Sequence, residues 1–249
     1  MVKENRKNRS FNGTLCGTLD VSEHLYNRVV VNGNISVKGD MDCNELVVNG
    51  SFVDEGSLKA KKGKINGEVI VKGNLGSDLV KVNGEFEIGA NADVKELIIR
   101  GSAKVNGSLS SEKINLLGEV KVKDDCNSES FISRGGFVIG GLLNADNIEI
   151  NLFGKCKVKE IGGENIEIRR IHKSLFNRVL KYMIPLFGFE GDLVTDSIEG
   201  DDVYVEYTNA KTVRGNNVTI GKGCDIGLVE YKDSFEQDKS SQVREHVKT

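Results

Sequence analysis

The sequence predicts an all-β protein built as a parallel β-solenoid, with one amphipathic α-helix inserted near its C-terminal end. Three observations support this prediction. Glycine returns every seventeen residues from Gly33 to Gly135, apolar residues keep to the same positions between these glycines, and only one stretch has helical periodicity. In a solenoid each coil stacks on the previous one, so equivalent positions form columns and the sequence repeats.

The glycine column sets the length of the coil at about 17 residues. Its members are the predicted corner glycines Gly33, Gly50, Gly67, Gly84, Gly101, Gly118 and Gly135. A second glycine tends to follow six residues later, at positions 39, 56, 73, 107 and 141. Glycine adopts positive φ freely and therefore suits sharp corners. Two corners per repeat predict at least three short strands, and hence a triangular coil.

Four apolar columns predict the inward-facing positions. Counted from the first glycine of a repeat, they lie two residues before it and two, four and eight residues after it; around Gly67 these are Ile65, Val69, Val71 and Leu75. Apolar and polar residues alternate between them, as expected for strands with one buried face. Asp54 is the one misfit of the third column. Cys126 continues the fourth column, which predicts a core residue and not a nucleophile.

The Asn-Gly pairs that begin at residues 32, 49, 66 and 83 offer an alternative, because Asn-Gly between alternating hydrophobic residues is a strong hairpin signal. A chain of antiparallel hairpins has no reason to keep the same residue types at a fixed interval, whereas a solenoid does. The sustained interval therefore favours the solenoid.

Changes in the repeat divide the chain into segments. After Gly135 the next corner glycine is Gly154, two residues late, which predicts that the regular solenoid is ending. Gly200 and Gly215 then lie fifteen residues apart, which predicts shorter coils. The predicted segments are a basic disordered tail (1–10), the solenoid (11–168), a basic amphipathic helix (169–189), further short coils (190–231) and a disordered polar tail (232–249).

The predicted helix has an apolar face that returns every four residues, from Ile171 to Met183. Its segment, 169–189, carries five basic residues and no acid. One interpretation is a lid that covers the end of the solenoid; another is binding to an anionic membrane surface, and a third is binding to a partner protein. The candidate membrane- or partner-binding residues are Arg169, Arg170, Lys173, Leu175, Phe176, Arg178, Val179, Lys181 and Met183.

Composition disfavours several functions. Aromatic residues make up 6% of the chain and tryptophan is absent, so the stacked rings of sugar clefts and single-strand nucleic-acid platforms are scarce. The five cysteines form no CxxC pair, which fits neither a disulfide framework nor a zinc site and suggests reduced thiols in a cytoplasm. The three histidines are scattered. We therefore predict no catalytic, cofactor-binding or metal-binding residues, and no nucleic-acid partner.

Targeting signals are also missing from the sequence. No apolar run of eighteen residues occurs, and the basic start of the chain is not followed by an apolar segment of signal-peptide length. We expect a cytoplasmic protein.

Enzyme functions remain as alternatives. Residues 220–227, IGKGCDIG, repeat Ile-Gly at the six-residue interval of left-handed β-helix acyltransferases, but the chain does not sustain that interval. A carbohydrate-active enzyme on a right-handed β-helix normally has longer coils, whose loops build a cleft. A capped monomeric binding module is the other alternative.

Short repeats of the form V-x-V-x-G-x-V-x-V-x-G, sustained over residues 11–168 and again over 198–231, resemble those of the bactofilins, polymer-forming bacterial cytoskeletal proteins. The resemblance implies a right-handed β-helix, end-to-end filaments that need no nucleotide, a peripheral location at the inner face of the membrane, and a scaffold role in cell shape, polarity or motility. It implies the chain itself as partner, besides cell-envelope or motility proteins. Unlike bactofilins, this chain has a single proline and an inserted basic segment.

Overall fold

The computed structural model of the 249-residue chain describes residues 10–13, 17–20, 25–170 and 191–249. The described residues form two compact units, unit 1 (residues 1–124) and unit 2 (residues 125–249). Each unit is a parallel β-solenoid, and no helix is present among the described residues. The prediction of an all-β parallel solenoid is confirmed, whereas the predicted helix lies outside the described residues apart from Arg169 and Arg170.

Unit 1 contains fourteen strands: β1 (Ser10–Gly13), β2 (Gly17–Asp20), β3 (Leu25–Val31), β4 (Asn34–Lys38), β5 (Met41–Val48), β6 (Ser51–Asp54), β7 (Leu58–Ile65), β8 (Glu68–Val71), β9 (Leu75–Val82), β10 (Glu85–Ile88), β11 (Ala92–Ile99), β12 (Ser102–Val105), β13 (Leu109–Leu116) and β14 (Glu119–Val122). Within unit 1, each strand from β1 to β12 pairs in parallel with the second strand after it. From β3 onward the partners are seventeen residues apart, as Ile65 and Val82 are. This pairing excludes the hairpin alternative.

Each regular coil of unit 1 has three sides. The four-residue strands form one side, and each eight-residue strand bends in its middle to form the other two. In β7, for example, buried and exposed residues alternate except at Lys61 and Lys62, which are both exposed. The break in alternation marks the third corner, where the pairing of β5 with β7 passes over Lys61. The predicted triangular coil is thus observed.

All four predicted apolar columns are buried, including Asp54 in place of a valine. The structure adds two further inward columns. One contains Leu46, Val80, Leu97 and Ile114, and Gly63 interrupts it in the sequence; the other contains Cys43, Ala60 and Val94.

In the seventeen-residue glycine column, Gly50, Gly67, Gly84, Gly101 and Gly118 serve close packing and not positive φ, contrary to the sequence-based expectation. Positive-φ glycines among the described residues are Gly39, Gly154 and Gly223. At Gly84 an added Cβ would lie 2.0 Å from the carbonyl oxygen of Gly67 in the previous coil. Real Cβ atoms do not approach this closely, so each glycine of this column permits the next coil to stack.

Asparagine side chains beside these glycines form a ladder between coils. Asn49 donates to Asn32 at 2.8 Å, Asn66 donates to Asn49 at 2.8 Å, and Asn83 donates to Asn66 at 2.9 Å. The Asn-Gly pairs therefore build a corner with hydrogen bonds along the column, not a hairpin turn.

Unit 2 contains seven strands: β15 (Cys126–Ser133), β16 (Gly136–Leu152), β17 (Lys155–Arg170), β18 (Asp192–Val205), β19 (Thr208–Ile220), β20 (Asp225–Gln237) and β21 (Gln242–Lys248). Each pairs in parallel with the next. The step of fifteen predicted from Gly200 and Gly215 is confirmed by the register of β18 with β19.

Two segments of unit 2 differ in detail from the predicted ones. β17 pairs with β18, so the coils predicted for 190–231 stack directly on the solenoid predicted for 11–168. Residues 232–249 are not a disordered tail, because β20 extends to Gln237 and β21 pairs with it. Main-chain hydrogen bonds hold these polar residues in the ladder even though few of their side chains are buried.

Candidate functional site

The segment 171–190 leaves and re-enters unit 2 at one corner of a coil. The register of β17 with β18 is a step of 37 residues, for example from Ile166 to Val203. Twenty of these residues lie in 171–190, so the coil itself uses seventeen, the same number as in unit 1. The segment is therefore an insertion into an otherwise regular coil.

Arg170 holds the two ends of this insertion together. Its Nε and Nη2 atoms donate to the carbonyl oxygen of Gly191 at 3.1 and 2.8 Å, and its guanidinium carbon lies 3.4 Å from the ring centroid of Tyr207. The main-chain N–H of Arg170 donates to the buried carboxylate of Glu206 at 3.0 Å. A cation over an aromatic face is attracted by the electrons of the ring. The Arg170 guanidinium therefore interacts with both the Gly191 carbonyl oxygen and the Tyr207 ring.

Tyr207 is placed for this contact by a strained backbone. Its φ is +45°, the one positive value for a non-glycine residue in the described chain. Gly223 also lies close to this ring, because an added Cβ there would come within 2.5 Å of it. The Tyr207 ring thus lies next to both the Arg170 guanidinium and the Gly223 backbone.

Arg169 is also engaged within the chain. It forms an ion pair with Glu167, and its guanidinium carbon lies 4.0 Å from the ring centroid of Tyr204. The Tyr204 hydroxyl in turn donates to Glu206 at 2.8 Å, and partial burial together with this carboxylate raises the pKa of the tyrosine. The hydrogen bond to Glu167 raises the pKa of Arg169.

The structure separates the predicted membrane- or partner-binding residues into two groups. Arg169 and Arg170 lie in β17, so the helix prediction is wrong for these two residues. Lys173, Leu175, Phe176, Arg178, Val179, Lys181 and Met183 lie outside the described residues. No pattern in the sequence indicates the anchoring role of Arg170, because its partners Gly191 and Tyr207 are distant in the chain.

The C-terminal coil forms a second candidate site. In the described part of the chain, β21 pairs with β20 on one edge and with no strand on the other. Val243 continues the inward column of Ile226, and His246 continues that of Val229. The ring of His246 lies 5.1 Å from that of Phe235, which lies 5.4 Å from Tyr231. Val243 and Phe235 are only half-buried, so this layer leaves part of the core accessible.

Burial shifts the pKa values of the cysteine thiols in the core. Burial raises the pKa of the Cys43, Cys126 and Cys156 thiols to about 12, and it raises the pKa of Cys224. These four cysteines are free and buried, as expected of core residues, and Cys126 lies in its predicted column.

The described residues include neither a metal-binding cluster nor a membrane-spanning helix. No group of three His, Cys, Asp or Glu side chains in this part of the chain is arranged to hold a metal ion. Likewise, none of its segments is a helix long and apolar enough to cross a membrane.

Part of the chain is similar to two proteins of Bacillus subtilis (strain 168). Uncharacterized protein YhbF is 44% identical over 91 residues, which are 36% of this chain and 34% of YhbF. Uncharacterized protein YhbE is 33% identical over 105 residues, which are 42% of this chain and 41% of YhbE. The similarity spans less than half of either relative. No family model and no solved structure matches the chain.

Proposed function

We propose that the protein is a structural scaffold that polymerises end to end without nucleotide, as its resemblance to bactofilins implies. The observation that supports this proposal is the outer edge of β21, which carries main-chain groups with no strand partner in the described residues. Free edges of this kind bind further strands unless they are covered. A second copy is the natural occupant, because it presents strands of the same type and similar spacing.

The side chains of the last coil support the same conclusion. Val243, Phe235 and His246 continue inward columns in the last layer of the described chain, where Val243 and Phe235 are half-buried and His246 is exposed. A docked coil from another copy would bury the exposed parts of Val243 and Phe235, at a gain of about 25 cal/mol per Å² of apolar surface. Polymerisation would thus extend both the hydrogen-bond ladder and the core.

Electron microscopy and sedimentation of the purified protein test this proposal. We expect filaments or short rods without ATP or GTP. Val243→Lys places a charge in the last inward column and should prevent assembly, whereas Gln242→Lys adds the same charge on the exposed side and should not. Monomers of the unmodified protein at all salt concentrations and pH values, or filaments formed equally by both variants, would refute the proposal.

We further propose that residues 171–190 bring the polymer to an anionic membrane surface. The two residues that border this insertion lie next to each other, because the Arg170 side chain donates to the carbonyl oxygen of Gly191. With Arg169 and Arg170 engaged in β17, its remaining basic residues are Lys173, Arg178 and Lys181, besides His172. Each basic residue near an anionic surface contributes about 1 kcal/mol, so binding should weaken with salt.

Sedimentation with phosphatidylserine-containing liposomes tests the membrane proposal. Binding should be lost on Leu175→Asp, which interrupts the apolar face, while the circular dichroism of the solenoid stays unchanged. If Leu175→Asp unfolds the protein, the segment is a structural cap; if the variant binds as well as the unmodified chain, the apolar face is not the binding surface. Either result overturns the membrane proposal and leaves the test of polymerisation intact.

A further inference from the structure

A groove of about 450 Å³ lies on one face of unit 2. Two columns of side chains line it. The first consists of Asn147, Asn165, Asp202 and Asn217, and the second of Glu149, Glu167, Tyr204 and Thr219. Successive members of a column belong to adjacent coils, about 4.8 Å apart. The volume falls within the range of about 300–1,000 Å³ that is usual for ligand sites.

The first column is a hydrogen-bonded ladder with one break. Asn165 donates to Asn147 at 3.1 Å, and Asn217 donates to Asp202 at 2.8 Å. Asn165 and Asp202 are neighbours in the register but share no hydrogen bond. Within the described residues the Oδ1 of Asn165 and the Oδ2 of Asp202 have no donor. Two adjacent acceptors are thus open to a ligand in the middle of the groove.

The second column adds carboxylates that already have one partner each. Glu149 accepts from Asn151 at 2.7 Å, and Glu167 is paired with Arg169. A carboxylate has room for several hydrogen bonds, so both remain open to further donors. With Asp202 the groove carries three negative charges against one positive charge, that of Arg169. This excess of negative charge disfavours anionic polymers such as nucleic acids.

We propose that this groove binds an extended neutral carbohydrate chain. Sugar hydroxyls both donate and accept, and the groove offers acceptors at Asp202 and Glu149 interleaved with donors at Asn217, Thr219 and Arg169. A cationic chain would supply donors only, and it would meet the Arg169 guanidinium. The repeat of side chains from coil to coil suits a ligand that is itself a repeating chain.

Recognition in this groove depends on hydrogen bonds and not on stacking. One face of the Tyr204 ring is covered by Arg169, and the Tyr204 hydroxyl is bonded to Glu206. The shortage of aromatic residues therefore argues against a cleft that stacks sugar rings, but it does not argue against sugar binding by hydrogen bonds. Affinity should rise with chain length, because a longer chain reaches more coils.

Isothermal titration calorimetry of the full-length protein with cello-, xylo-, malto- and N-acetylchitohexaose tests the inference. We expect at least one hexaose to bind, and its disaccharide to bind at least tenfold more weakly. Hexalysine and inorganic polyphosphate should not bind in the groove. Absence of binding by all four hexaoses, or binding of hexalysine alone, would overturn the inference.

Matched variants locate the binding. Asn165→Leu combined with Asp202→Leu removes both open acceptors and should weaken hexaose binding at least tenfold. Glu164→Leu combined with Asp201→Leu changes the adjacent exposed residues of the same two coils, which do not line the groove, and should leave binding unchanged. Equal binding by the two double variants would overturn the inference. The measurement does not require polymerisation, so it is independent of the proposed scaffold function.

Discussion

Asp54→Asn should stabilise the protein at neutral pH, because it removes a carboxylate from the core of unit 1. Asp54 ends β6 and is fully buried between Val37 and Val71 of the adjacent coils. Its Oδ1 atom accepts from the N–H of Gly56 at 3.0 Å, and its buried Oδ2 atom has no partner in the described residues. Asparagine retains the acceptor for Gly56 and removes the charge.

The size of the effect follows from the pKa of Asp54. This pKa is raised to about 6, chiefly by burial and to a smaller extent by the nearby Asp40 and Glu55 carboxylates, while the Gly56 N–H opposes the shift. In the unfolded chain the value is about 3.9. The charged form therefore destabilises the folded state by about 3 kcal/mol above pH 7 and by about 0.5 kcal/mol or less at pH 4, where Asp54 is protonated in the folded state.

Urea unfolding at pH 4 and pH 8 measures this difference. The free energy of unfolding of the Asp54→Asn variant should exceed that of the unmodified protein by about 3 kcal/mol at pH 8, and the two proteins should nearly coincide at pH 4. Asp42→Asn is the control, because Asp42 is an exposed carboxylate on the adjacent coil. A gain at pH 8 no larger than at pH 4 would show that Asp54 does not destabilise the core through its charge.

Four further predictions concern the coil geometry. Gly84→Ala should destabilise unit 1 by several kcal/mol in urea unfolding, because the added Cβ would lie 2.0 Å from the Gly67 carbonyl oxygen. The control Gly76→Ala, whose added Cβ has no atom within 4 Å, should be neutral or should stabilise the protein by up to about 1 kcal/mol. Val82→Asp should abolish folding, because it buries a charge, while Lys81→Asp on the exposed side should leave the circular dichroism spectrum unchanged; equal effects would mean that the register is wrong. Mass spectrometry after brief alkylation at pH 8 should find Cys43, Cys126, Cys156 and Cys224 unmodified in the folded protein, and rapid labelling of Cys126 would contradict its core position. Deleting residues 171–190 and joining Arg170 to Gly191 should leave the solenoid folded, because the shortened coil has seventeen residues; an unfolded product would show that the insertion is needed to cover the core.

Much of unit 1 was predictable because every coil must pack its inward side chains on those of the coil before it. A column such as Ile65, Val82 and Ile99 must be apolar in each coil, since each member packs on the one before. The repeat therefore made the inward positions and the parallel pairing visible. The role of the corner glycines was less visible, because a requirement for close approach and a requirement for positive φ select the same residue.

The candidate sites were less predictable. Arg170 was placed in a helix because it borders a basic, helix-periodic segment, yet its contacts with Gly191 and Tyr207 arise only when the coils stack. The C-terminal residues were expected to be disordered because they are polar. The pairing of β21 with β20 depends on main-chain groups, which every residue type carries.

The sequence by itself determined the solenoid, its coil length in unit 1 and the identity of most core residues, because stacking imposes one apolar pattern on every coil. Only the tertiary structure decided where the coils end, how the residues that border the insertion 171–190 are joined, and which side chains of unit 2 adjoin one another on adjacent coils to form the groove columns. These features depend on contacts between residues that differ from coil to coil, as Asn165 differs from Asp202. A sequence repeat shows the residues that the coils have in common, whereas the effect of residues that differ between coils depends on which side chains become neighbours when the coils stack.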